Sequence, residues 1–146
     1  MVIDKPLLDT LSTQAKASPR LRQSYDLRNS ENDNSQRILN ALESGTVMPI
    51  HRHMKSSDTI SMVRRKMVMR LFDDRGTITE EFVMAPAGSV TESVTEPVEV
   101  VEVPMVQVEA GQWHSLEVLE EGTVVFEAKD GKYEALKEEE LIKLNA

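Results

Sequence analysis

The residues best suited to chemistry in this chain are its three histidines, His51, His53 and His114. His51 and His53 flank Arg52 in the segment Thr-Val-Met-Pro-Ile-His-Arg-His, which is β-branched and alternating. On a strand, residues two apart share a face at about 7 Å, so both imidazoles can reach one metal ion while Arg52 points the other way. Asp58 has the wrong parity for that strand, but the turn residues Lys55-Ser56-Ser57 let it open a new one and offer a carboxylate. His114 follows a turn at Gly111 and shares a face with Gln112 and Leu116, with Trp113 facing away. Cysteine is absent, so any metal must be held by nitrogen and oxygen. One divalent transition metal, Fe, Mn, Ni, Co or Zn, suits such a set, and geometry and supply decide among them. On an octahedral ion, four protein ligands leave room for a bidentate oxygen ligand, or for a substrate and a water. A His-x-His pair alone is more often a surface pair, so the weight rests on the three histidines together.

A second group lies in Thr-Val-Val-Phe-Glu-Ala-Lys, where Thr123, Val125, Glu127 and Lys129 share one face. If that face looks into a barrel, Glu127 is a buried carboxylate near the metal and a general acid or base. If it looks outward, Glu127 is solvated or paired with Lys129; the two readings stand level. Gln112, Lys129 and Tyr133 complete the candidates as substrate contacts. Met62, Met67 and Met69 are read as core filling rather than a thioether copper site.

The elements that must position these residues are mostly strands. The 146 residues suit one domain, and the apolar ones are largely Val, Leu, Ile and Met, with one Trp, two Tyr and three Phe. Asp4, Pro6 and the stripe Leu7, Leu8, Leu11 and Ala15 predict an N-terminal helix ended by Ser18-Pro19. Residues 20–43 read as a polar, turn-rich loop with a short helix or extended arm over Gln36–Leu42. From Gly45 onward, short alternating runs separated by turn residues predict a sandwich or barrel. The Ser-Val-Thr-Glu near-repeat within 89–103 reads as a low-complexity hairpin or loop. Leu136, Leu141 and Leu144, with charges between them, predict a short C-terminal helix or tail over 135–146.

A net charge of −8 disfavours phosphate backbones, so nucleic acid is not an expected partner. No basic leader with an apolar run, and no stretch fit to span a bilayer, is visible, so no membrane partner and a cytoplasmic location are expected.

The spacing of these residues resembles the two motifs of the cupin superfamily. Gly45, His51, His53 and Asp58 fall on the first, with Asp in place of Glu and Arg65 where the last Gly would stand. Gly111 and His114 fall on the second, with Glu109 for its Pro and Val118 for its Asn. The phrases Asp33-Asn-Ser-Gln-Arg37, Pro49-Ile-His-Arg-His53, Phe72-Asp-Asp-Arg-Gly76, Gly111-Gln-Trp-His114 and Val125-Phe-Glu-Ala-Lys129 resemble the WbuC-type cupin-fold metalloproteins of surface-polysaccharide gene clusters.

The resemblance implies a mainly β protein: a single cupin-type jelly-roll barrel, or double-stranded β-helix, over 45–134, with a helix and polar arm over 1–44. It implies metal ligation by His51, His53, Asp58 and His114. Asp58, a methylene shorter than Glu, would bind directly, bind through a water, or act from just outside the ligands. It further implies a small polar, carbohydrate-derived ligand and a homodimer. The activity would be isomerase- or epimerase-like, or oxygenase-like, on a sugar or nucleotide-sugar. The alternative is a metal- and ligand-binding protein without turnover.

Overall fold

In the computed structural model, residues 1–89 and 102–142 are described. Most of the 89–103 stretch, expected as a hairpin or loop, lies outside them. Helix α1 (Lys5–Ala17) begins where the Asp4 carboxylate accepts the Leu7 N–H at 3.1 Å, with Pro6 in the first turn, and gives way to extended backbone at Ser18. Among the described residues, no helix is long and apolar enough to cross a membrane.

Among the described residues, eleven short strands follow. They are β1 (Arg22–Asp26), β2 (Ser35–Leu42), β3 (Ile50–His51), β4 (Asp58–Arg64), β5 (Met67–Phe72) and β6 (Ile78–Met84). The later ones are β7 (Glu102–Val103), β8 (Met105–Val108), β9 (Trp113–Val118), β10 (Thr123–Asp130) and β11 (Leu141–Ile142). They form a five-stranded sheet in the order β1-β2-β10-β4-β8 and a six-stranded sheet in the order β11-β3-β9-β5-β6-β7. Apart from the parallel pair β6–β7, neighbours are antiparallel. This is the jelly-roll arrangement, mainly β with a single N-terminal helix.

Strict alternation divides the five-stranded sheet. Leu39, Ala41 and Val124 face outward and are sealed by Leu11 and Ala15 of α1. Leu42, Ile60, Met62 and Val125 face inward and meet Met67, Met69, Leu116 and Val118 of the other sheet. Met62, Met67 and Met69 are core residues, as the sequence predicts.

Two segments differ from expectation. Within residues 20–43, Arg22–Asp26 and Ser35–Leu42 are strands of the five-stranded sheet, the second in place of a short helix or free arm, while residues 27–34 between them form the turn-rich loop expected. The polar residues Gln36 and Asn40 on the inner face of β2 break the hydrophobic period there and conceal it. The C-terminal helix is reduced to one 3-10 turn, Glu138–Glu140, followed by β11, which pairs with the edge of β3. A charged segment of this length is too short to sustain a helix alone, and an open strand edge supplies partners for its backbone.

Arg65, at the turn position where glycine was expected, has φ 68°. The left-handed backbone is present without glycine to relieve it, at about 1–2 kcal/mol.

Candidate metal centre

The three histidines converge because of one strand pairing. β3 is only two residues long, held between β11 and β9, and in its register His51 lies directly across from His114. His53 follows just past the strand end, where its carbonyl accepts the Gly111 N–H at 2.8 Å. That bond ties the first histidine segment to the turn before β9. Ring centroids are 4.2 Å apart for His51–His114, 5.1 Å for His51–His53 and 5.7 Å for His53–His114. Their potential ligand atoms all lie within 4.8 Å of one another.

The donor set fits a metal. Nδ1 of His51 lies 2.9 Å from the Pro49 carbonyl, and Nδ1 of His114 lies 2.9 Å from the Gln112 carbonyl. A carbonyl can only accept, so each Nδ1 carries the proton and Nε2 keeps its lone pair for a ligand role. Burial disfavours the charged imidazolium at all three positions. It lowers His51, with Lys129 and Arg22 adding to the effect, and takes His53 to about 4 and His114 to about 3, with Lys129 and the neighbouring imidazoles adding to it. The imidazoles are therefore neutral at physiological pH, the form that binds a divalent transition metal.

The triad opens into a cavity of about 750 Å³. Asp58 lines it but stands outside the group of mutually close ligand atoms. The chain crosses between the sheets after β3, so Asp58 opens β4 in the other sheet, across from Lys129. It is 3% exposed, and its Oδ1 has no hydrogen-bond partner. Burial, with the neighbouring Glu127 carboxylate, pushes Asp58 up to about 8.

Glu127 and Lys129 face the same cavity and pair at 3.5 Å, with side chains 14% and 16% exposed. The face is therefore internal, and the carboxylate has an ammonium partner. Tyr133 lines the rim and is largely exposed.

Gln112 does not line the cavity. Its Nε2 donates to the carbonyls of Phe72 and Trp113, at 2.9 and 3.0 Å, which holds the entry to β9. Its position ahead of the strand, rather than on it, removes it from the histidine face. Arg52 points away as expected, stacking 4.2 Å from the Trp113 ring and facing Asp74 at 3.9 Å.

Two further cavity residues, Arg22 and Asn40, carried no signal in the sequence because β1 and β2 did not read as strands. Glu140 lies near His53, and its carboxylate accepts from the backbone N–H groups of Lys137 and Met54. The alternation of Leu39 and Ala41 was the one available signal for β2; nothing in the sequence pointed to Glu140.

Among solved structures the chain is similar to KdgF from Halomonas sp., at 12% identity and a TM-score of 0.57, over 80% of this chain and 84% of that one. It is similar to the cupin domain of Cnp3 from Schizosaccharomyces pombe, at 9% identity and TM-score 0.53, over 76% and 65%. It is also similar to the capsular polysaccharide assembling protein CapF from Staphylococcus aureus, at 17% identity and TM-score 0.56; 80% of this chain spans 30% of that one. At these identities the likenesses establish the fold, a cupin. No curated protein matches the chain. A family model described as "Domain of unknown function (DUF6016)" matches residues 3–84, more than half of the sequence and inclusive of His51, His53 and Asp58. The chain belongs to this DUF6016 family, and its fold is that of the cupins.

Proposed function

We propose that the protein is a divalent-metal cupin acting on a sugar or nucleotide-sugar in surface-polysaccharide (O-antigen or lipopolysaccharide) biosynthesis. The observation that carries the metal part is the triad of neutral imidazoles, His114 buried and the others at least partly so, opening into a roomy cavity lined by both polar and apolar groups. The substrate class rests on the resemblance to WbuC-type proteins, and the likeness in fold to a capsular polysaccharide assembling protein accords with it. A metal on His51, His53 and His114 would supply Lewis acidity at a substrate oxygen.

The chain's own groups do the rest. Glu127 takes or returns a proton, Lys129 holds its carboxylate and balances charge, and Tyr133 contacts the ligand at the rim. Asp58, protonated when free of metal, offers a hydrogen bond to the ligand or meets the metal through a water. Such proton transfer suits an isomerase or epimerase; an oxygenase would further require iron and dioxygen. A cytoplasmic homodimer, formed through an unpaired edge of the five-stranded sheet, belongs to the same reading.

The close Glu127–Lys129 pair favours a second reading, a metal- and ligand-binding cupin with a regulatory or supporting role. Metal-loaded protein offered nucleotide-sugars and simple carboxylic acids separates the two. Conversion of any nucleotide-sugar, lost in Glu127→Gln, supports the enzyme. Binding that raises thermal stability without conversion under any of the five metals supports the binding protein.

A further inference from the structure

β1 carries a guanidinium that nothing in the described structure neutralises. In the β1–β2 register Arg22 lies across from Leu42, a residue of the core between the sheets. Arg22 therefore projects from the inner face, where it lines the cavity that holds the histidines. Its Nε is buried with no hydrogen-bond partner, and its Nη1 meets only the Met48 sulfur, at 3.2 Å. Among the described residues it has no ion-pair partner and stacks on no ring.

Arg52 makes the contrast plain. Its Nε also lacks a partner, but that guanidinium lies over Trp113 and faces the Asp74 carboxylate. Beside Arg22 the inner face offers Ser24 and Asn40, uncharged and bonded to each other at 2.6 Å. Arg20 adds a further positive charge nearby. A buried donor left unmade costs more than its bond would return, and a planar guanidinium is matched by a carboxylate or phosphate.

We infer that Arg22 anchors an anionic group, carboxylate or phosphate, of the small molecule that occupies this cavity. The ligand then spans the cavity between Arg22 and the histidines, and uncharged analogues are poorly held. This deepens the proposed reading of the cavity as a ligand site beside a metal, and the test keeps the two separable.

Tag-free, metal-loaded protein is titrated calorimetrically with glucuronate, uridine diphosphate and glucose, and metal content is measured in every sample. Glucuronate or uridine diphosphate should bind, with glucose at least about 10-fold weaker; whichever anion is preferred identifies carboxylate or phosphate. Arg22→Met should weaken that binding about 10- to 100-fold, the scale of a charge-assisted hydrogen bond, while metal content stays the same. Arg22→Lys should retain part of the affinity, and it provides the reading if the Met variant does not fold. Unchanged anion binding in a folded Arg22 variant overturns the inference, as does wild-type protein that binds neither anion. Loss of metal from the wild type would instead overturn the metal reading, and the Arg22 comparison would then be made on metal-free protein.

Discussion

The two ends of the barrel interior are built from the same strands and behave as opposites. Along the inner face of β10 the residues run Val125, Glu127, Lys129; along β4 they run Met62, Ile60, Asp58; along β9 they run Val118, Leu116, His114. Each strand passes from apolar to ionisable over a few residues, and the three do so at the same end. At the closed end, methionines and branched residues from both sheets fill the space. At the mouth, a carboxyl without a partner on one oxygen and three crowded imidazoles surround open volume. Buried polar groups of this kind weaken a fold unless something completes them. One half of the interior maintains the barrel, and the other half carries groups that an occupant would complete.

The largest effect should come from damaging the closed end. Met69→Ala removes a fully buried side chain and should cost about 2–5 kcal/mol in urea unfolding. Protein that remains folded should keep the metal content of the wild type. If metal is lost in proportion to stability, the two ends are not independent.

The next effect is at the mouth and depends on pH in the metal-free protein. The folded-state values of His53 and His114, about 4 and 3, lie below the ordinary 6.5. Their contribution is present above pH 6.5 and is lost as pH falls through those values. Asp58 has the opposite sign: raised from 3.8 to about 8, it contributes below pH 3.8 and the contribution is lost as pH rises through 8. Near pH 6.5 the unfolded imidazoles are still losing protons, with the opposite sign, so the carboxyl dominates only from about pH 7.5, and stability should fall there, by at most about 1.4 kcal/mol per pH unit for one proton. Asp58→Asn should flatten that decline in chemical denaturation curves; an unchanged slope would place its origin elsewhere.

The smallest effect lies outside both ends, at the β4–β5 turn. Arg65→Gly relieves a positive φ but loosens the unfolded chain, so the net gain should be up to about 1 kcal/mol. A loss of stability would show that the Arg65 side chain matters more than its backbone.

Much of the site was legible in the sequence, because strand alternation alone places His51 with His53 and puts Glu127 on the face of Val125. The manner of convergence was not. Reading His114 as a ligand from a distant strand suggests that barrel closure assembles the site, whereas His51 and His114 are cross-strand partners within one sheet. Register between strands far apart in sequence depends on pairings such as Gly111 N–H to the His53 carbonyl, which carry no local signal. Gln112 was misplaced for the same reason, since alternation was extended one residue beyond the start of β9. Arg22 was lost with the strand that bears it. The C-terminal strand β11 pairs with the edge that β3 offers, a partner with no signal in the local sequence.

Whether the mouth is a metal site built by the three histidines is decided by elemental analysis of tag-free protein beside the double variant His51→Ala with His114→Ala. The wild type should hold about one equivalent of a divalent transition metal, and the folded double variant none. Stoichiometric metal retained in the double variant, or a wild type that takes up no metal when any of the five is supplied, would contradict it.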